Sequence, residues 1–236
     1  MPAPFSLDKL YERSYYYFAM TDVSSSEVMT TTDGRLLRGE QTRRAILDRA
    51  AEIATVESLE GLSIGRLATE LGVSKSGVFA HFGSKEELQL ATIERAREVF
   101  IERVIQPALE RRGLARLWAM CENRIAYSKD RVFPGGCFFY AAEMEFGPRT
   151  GRVRDALKRE KDAWWDWLVG TIERAREAGE LRPDVDAEQL AFELDAFVGA
   201  ANAGALLDED PRAFDFARTA MRERLRAAAT RPELVG

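Results

Sequence analysis

The chain has 236 residues and a formal net charge of −5, with 46% hydrophobic and 31% charged residues. That balance supplies both a core and a solvated surface, which excludes a wholly disordered chain. Two cysteines and one histidine are too few for a multi-ligand zinc site and give no disulfide framework, so no metal and no cofactor is expected. The uninterrupted apolar stretches fall short of the roughly 18 residues of a spanning helix, and no membrane partner is expected. The negative balance also excludes a protein that coats nucleic acid by bulk positive charge, so charge must be read locally.

In chain order, residues 1–34 join an aromatic cluster (Tyr11, Tyr15, Tyr16, Tyr17, Phe18) to a Ser/Thr-rich run. They lack the cationic start and apolar stretch of a secretory signal and are expected to form a disordered N-terminal extension. From about Glu40 to Ser58, Ile46, Ala50, Ile53 and Ala54 fall at i, i+4, i+7 and i+8, the stripe of an amphipathic helix. Ser63 is a good N-cap for a short helix to about Glu70, and Ser74 caps another to about His81. Ser84 starts a long fourth helix, with Glu87 placed for a capping box.

This spacing is that of a helix-turn-helix. Ala68 lets two helices approach, Gly72 takes the positive φ of the turn, and Val78 plugs the second helix onto the first. Leu67, Leu71 and Val73 are expected in the small core. The segment from Arg43 to Leu90, most of all GVSKSGVFAHFGSKEEL, resembles the DNA-binding domain of the TetR family of transcriptional regulators. The run GGCFFYAAEME is similar to the opening of the sixth helix in one branch of that family.

Between Arg35 and Leu90 eight cations face eight anions, so no general basic footprint exists. From Gly72 through Lys85, however, there is no carboxylate. Ser74, Lys75, Ser76 and Lys85 in that window are donors for phosphates or base edges, and Gly77 lets the backbone approach DNA. The family pattern implies flanking phosphate contacts from Arg43, Ser63 and Arg66; a solvated helix face is the other reading of the two arginines. Phe79 stands where the family often has a tyrosine, and it cannot donate a hydrogen bond. Its ring either touches sugar or a thymine methyl, or turns into the core. His81 and Phe82 are expected to pack.

Beyond the fourth helix, Pro107 predicts a fresh helix start. Leu114, Leu117, Trp118, Cys121 and Ile125 have the spacing of a buried stripe. A loop with Pro134, Gly135 and Gly136 precedes a short aromatic helix, and a long helix from about Val153 to Ala178 carries Trp164, Trp165 and Trp167. The resemblance implies that such helices surround a small-molecule pocket whose ligand releases the protein from DNA. Candidate walls are Trp118, Cys121, Phe138, Phe139, Met144, Trp164 and Trp167, with an ordinary dry core as the other reading. Glu143 and Glu145 are placed to orient a ligand or to stay solvated. Cys121 and Cys137 are read as buried thiols rather than a redox pair.

Asp184 or Asp186 opens the penultimate helix, and Pro211 the last. Leu190, Leu194, Phe197, Val198 and Ala201, then Phe214, Ala217, Met221 and Leu225, give two apolar-faced helices suited to a symmetric dimer. The expectation is an all-α chain of about nine helices. A helix-turn-helix domain spans 35–90, a helical ligand-binding and dimerisation domain 91–230, and a tail 231–236. Its expected role is that of a cytoplasmic, homodimeric repressor of operator DNA, without catalytic residues, released by a largely apolar inducer. The alternative is an all-α small-molecule-binding protein or enzyme that uses the aromatic pocket without binding DNA.

Overall fold

The computed structural model describes residues 31–235, which contain nine α-helices and, apart from an isolated bridge between Leu181 and Ala229, no strand pairing. Most of the expected N-terminal extension lies outside the described residues. Its last residues do not end as a tail: α1 runs Thr31–Val56, starting well before Glu40. The part through Thr42 is a unit of its own, in which the Thr42 hydroxyl donates to the Arg38 carbonyl at 2.8 Å.

From Arg43 onward, local chemistry sets the next three helices. α2 (Ile64–Leu71) is capped by Ser63, whose hydroxyl accepts from the Arg66 amide. Gly72, with φ of 64°, ends it, and the Val73 amide returns to the Ala68 carbonyl at 3.0 Å. That is the left-handed residue a tight C-terminus needs, one that a Cβ would disfavour. Ser74 caps α3 (Lys75–Phe82) through the Gly77 amide, and Ser84 caps α4 (Lys85–Phe100) through the Glu87 amide. The carboxylate of Glu87 bonds Arg152, so the Ser84 hydroxyl makes the cap.

The α1 stripe of Ile46, Ala50, Ile53 and Ala54 is buried, and it shares the small core with Leu59, Leu62, Leu67, Ala68 and Val78. Leu71 and Val73 are only half-buried, because the turn carries them toward its solvent side. Phe82 is buried, as expected, and the Arg43 guanidinium lies over its ring at 5.3 Å.

α4 does not stop cleanly. It passes into a π turn (Ile101–Ile105) and then a 3-10 turn (Gln106–Ala108) that contains Pro107. Pro107 therefore closes a helix instead of opening one; its missing N–H is accommodated where the α ladder has already been broken. α5 starts only at Gly113 and runs to Lys129. Its predicted stripe (Leu114, Leu117, Trp118, Cys121, Ile125) is buried throughout, and α5 packs against α7 (Arg152–Glu177), α8 (Ala187–Leu207) and α9 (Arg212–Ala228). The short α6 (Phe138–Phe146) lies against α7.

Asp186 caps α8, accepting from the Gln189 amide, and α8 packs along α9. By length and composition alone α8 is apolar enough to cross a membrane, a test that a helix packed in a protein core also passes. Its apolar residues divide between two faces. Leu190, Leu194, Val198 and Ala201 enter the core, while Phe192, Ala196, Ala200, Ala203 and Leu207 form an exposed stripe.

Candidate nucleic-acid interface and ligand cleft

α3 is fixed by its inner side and free on its outer one. Val78 and Phe82 are buried, whereas Ser74, Lys75, Ser76 and Phe79 are exposed and Gly77 is half-buried. Phe79 is 55% exposed, so its ring stands on the surface and not in the core. The Ser74 hydroxyl both caps the helix and lies 3.1 Å from that of Ser76. Lys75 has no carboxylate partner among the described residues, and its side chain passes over Gly65, where an added Cβ would crowd Lys75 Cε at 3.1 Å.

The other cations named from the sequence are engaged. Arg66 forks onto Glu57 and also bonds Glu70. Its two partners neutralise it, which favours the helix-face reading over an available phosphate contact. Lys85 Nζ bonds Glu60 at 2.9 Å, and the Glu86 and Glu87 carboxylates beside it pair with Arg152. Arg43 is half-buried against Phe82, and Ser63 is committed to its cap. The exposed chemistry without a carboxylate thus centres on the first turn of α3.

The second feature is an internal cleft bounded by α5, α7, α8 and α9. It encloses about 240 Å³ of space between atoms, part of it open to solvent, and is lined by Met120, Cys121, Arg124, Trp164, Leu168, Leu194, Asp195, Val198 and Met221. Only about 10 Å³ of it is free room in the sense of a cavity volume, space for roughly one water molecule and far below a drug-sized ligand site. Of the seven walls named from the sequence, Cys121 and Trp164 line it. Trp118 is buried against Arg222, Phe138 and Phe139 join a ring cluster with Phe133 and Phe100, and Trp167 stacks on Trp164 at 6.1 Å. Met144 stands outside, 83% exposed, because the buried face of α6 is Phe138, Ala142 and Phe146.

The polar centre of this cleft was not foreseen. Arg124 is buried, with its guanidinium carbon 5.0 Å from the Phe100 ring, 4.8 Å from Tyr140 and 5.1 Å from Trp164. Cation–π attraction in such a desolvated cage is worth about 2 kcal/mol. Asp195 Oδ1 accepts from Arg124 Nη2 (3.0 Å), the Tyr140 hydroxyl (3.1 Å) and Trp164 Nε1 (3.2 Å). Burial raises the pKa of Tyr140 far above its ordinary value, so the hydroxyl stays protonated and donates. Burial likewise pushes the Cys121 thiol well up, which opposes thiolate chemistry there. One signal was available in the sequence: Arg124 follows Leu117 and Cys121 at helical spacing, a charge on an apolar stripe.

The cleft region and the head are joined. Glu145 on α6 accepts from the Leu59 amide (2.8 Å) and the Glu60 amide (2.9 Å), just beyond α1. Gly135 donates to the Thr55 hydroxyl at 3.1 Å. Neither Glu143, paired with Lys161, nor Glu145 lines the cleft.

Two family models match the chain. Residues 46–92 match the model described as bacterial regulatory proteins, tetR family, and residues 113–221 match the tetracyclin repressor-like C-terminal domain. Together they take in most of the described chain. The chain belongs to the TetR family of transcriptional regulators. As a member of that family it is a transcriptional regulator with a DNA-binding helix-turn-helix and an all-α fold. A TetR regulator from Chloroflexus aurantiacus is similar at 24% identity and a TM-score of 0.75, over 81% of this chain and 98% of that one. A regulator from Saccharomonospora viridis in complex with choline is 22% identical, with a TM-score of 0.67, over 81% and 100% of the two chains. AibR, in complex with isovaleryl coenzyme A and operator DNA, is 25% identical, with a TM-score of 0.59, over 75% and 95%. A search of curated proteins gave no match.

Proposed function

We propose that this TetR-family chain is a cytoplasmic, homodimeric repressor that leaves its operator when a small molecule enters the cleft around Arg124. The observation that carries the DNA-binding half is the outer face of α3. Ser74, Lys75, Ser76, Gly77 and Phe79 sit there in a window without a carboxylate, and Lys75 has no carboxylate partner among the described residues. A recognition helix reads base edges with its N-terminal residues in the major groove. Phe79, exposed and unable to donate, makes an apolar contact there. Residues 35–90 serve as the reading domain and 91–230 as the sensing and pairing domain, with 231–236 as a tail. AibR, crystallised with both operator DNA and an acyl coenzyme A, supports a protein of this fold handling both classes of partner.

Pairing follows from the exposed stripe on α8. Phe192 and Leu207 are 61% and 86% exposed, and Phe216 on neighbouring α9 is 68% exposed. Large apolar groups gathered on one face of a monomer mark an interaction surface, and a symmetric dimer buries the same patch on both copies. Two heads about 34–36 Å apart then reach successive major grooves.

A gel-shift assay with the full chain and the DNA upstream of its own coding sequence tests this reading. A sequence-specific complex at moderate salt, lost in Lys75→Glu, is expected. Binding that ignores sequence, or no complex at all, overturns it.

A further inference from the structure

We propose that Phe79 is a specificity-determining residue of α3 and that its ring reads the C5-methyl group of a thymine in the operator. The inference rests on the reading of α3 as the DNA-contacting helix and names what that helix recognises.

Elimination of the polar alternatives comes first. In the major groove, guanine and adenine are fixed most firmly by paired bonds from Arg, Asn or Gln, and cytosine by a carboxylate. From Gly72 through Lys85 the chain has none of these residue types. His81 is half-buried beside the Phe82 ring. The exposed hydrogen-bonding side chains of α3 are thus Lys75 and Ser76, both in its first turn, and Ser76 is already in contact with the Ser74 hydroxyl. Beyond that turn the exposed residues are Phe79 and Ala80, with Gly83 at the C-cap. None of these has a polar side-chain atom.

Geometry then singles out the ring. Ser76, Phe79, Ala80 and Gly83 follow at i, i+3, i+4 and i+7 and form one outward stripe. The other three are small, so the helix can approach the groove closely while the ring projects beyond its neighbours. Phe79 is 55% exposed, and the inner face of α3 is already filled by Val78 and Phe82. A single exposed apolar side chain is ordinary on a protein surface, but this one stands on the outward stripe of a helix in a DNA-binding domain. A ring set against a phosphate would strip water from the anion and return no bond. Against a methyl group both partners are hydrocarbon, and both gain by leaving water. Among the four bases the major groove presents that methyl group only at thymine, so the apolar contact carries sequence information.

The test exchanges thymine for uracil, which deletes the methyl group and leaves the hydrogen-bonding edge intact. The probe is the DNA upstream of the chain's own coding sequence, copied with either nucleotide and titrated with the full chain by gel shift. Uracil is expected to weaken the wild type about fourfold for each methyl group covered, the gain from one buried methyl, and to leave Phe79→Ala unaffected. Lys75→Ala is expected to bind both DNAs more weakly and to retain the full uracil penalty. Short duplexes with one uracil at a time then locate the base. At that position the wild type is expected to bind a 5-methylcytosine·guanine pair about fourfold more tightly than a cytosine·guanine pair, and Phe79→Ala to bind the two alike.

A wild type indifferent to uracil overturns the proposal. So does a uracil penalty that persists in Phe79→Ala, which would assign the methyl group to Ala80 or to DNA shape. A Phe79→Ala defect that lowers the salt dependence of binding marks a phosphate contact and overturns it as well. A sequence-specific complex that ignores the methyl group sinks only this inference, whereas the absence of any specific complex sinks the regulator reading and this inference with it.

Discussion

Tyr140 and Glu145, on the same nine-residue helix, bond to different parts of the molecule. The Tyr140 hydroxyl donates to Asp195 at the cleft, and the Glu145 carboxylate holds the Leu59 and Glu60 amides beside the reading head. A helix this short moves as a rigid body. A ligand that changed the bonding of Asp195 would act on α6 through Tyr140 and on the end of α1 through Glu145. The held turn is itself unusual, since Ser58 adopts φ of 135°, where glycine is favoured. The Gln89 amide donates to the Leu59 carbonyl from the other side, so the turn is clamped between α4 and α6.

Glu145→Ala is expected to remove the acceptor of two half-buried amides, at a cost of about 1–3 kcal/mol. Native-state hydrogen exchange should quicken at Leu59 and Glu60 by at least about tenfold, while exchange in α8 and α9 stays at the wild-type rate. Unchanged exchange at those two amides would show that other contacts hold the turn.

Gly135→Ala should destabilise strongly. A Cβ at this position would collide with the backbone carbonyl of Thr55, which cannot rotate aside as a side chain can. The loop would have to leave the end of α1 and give up the Gly135–Thr55 hydrogen bond. A loss of at least about 2 kcal/mol is expected in denaturant unfolding. Gly39→Ala, in open space within α1, is the control and should be neutral or slightly stabilising.

What was legible in the sequence was local. Ser63, Ser74 and Ser84 cap because a hydroxyl at that position meets an amide three residues on, and Gly72 turns because it lacks a Cβ. The α1 and α5 stripes were legible because their periodicity is clean. α6 was not, since its residues are apolar nearly all round and spacing could not decide between Met144 and Ala142 as the buried one. The fate of Arg66 and Lys85 depended on Glu57 and Glu60, which come near only once α1 and its turn are packed. The Arg124 cage draws on α4, α5, α6, α7 and α8, and no single window of sequence contains it.

The difference between Lys75 and Lys85 yields a prediction about DNA. Lys75→Ala should weaken operator binding about tenfold and lower the salt dependence of log affinity by about one unit per lost phosphate contact. Lys85→Ala should have the smaller effect, because Glu60 already holds that ammonium in the free protein. Affinities measured at two or more salt concentrations decide the matter, and equal losses would place Lys85 on the phosphate as well.

For the dimer, Leu207→Glu and Phe192→Glu place charges on a face that the second copy must cover. Sedimentation should show the wild type as a dimer and the double variant as a monomer. Its helical content should be unchanged, since both side chains are exposed and leave the core intact. A double variant that still sediments as a dimer would move the interface elsewhere.

Glu160 ties stability to pH. Burial pushes its pKa up to about 7, Glu94 adds to the rise, and Arg97 and Arg159 oppose it. Arg97 Nε lies 3.2 Å from its carboxylate. Because the folded-state pKa is the higher one, the native state binds the extra proton between the ordinary carboxylate value of 4.5 and about 7. Stability must therefore fall as pH rises through that window and level off on either side. The loss is of the order of 1–3 kcal/mol. Glu160→Gln mimics the protonated acid at every pH. It should match the wild type near pH 5 and exceed its Tm by a few degrees at pH 8. A variant less stable than the wild type at pH 8 would mean that the Arg97 pair outweighs the cost of burying the charge.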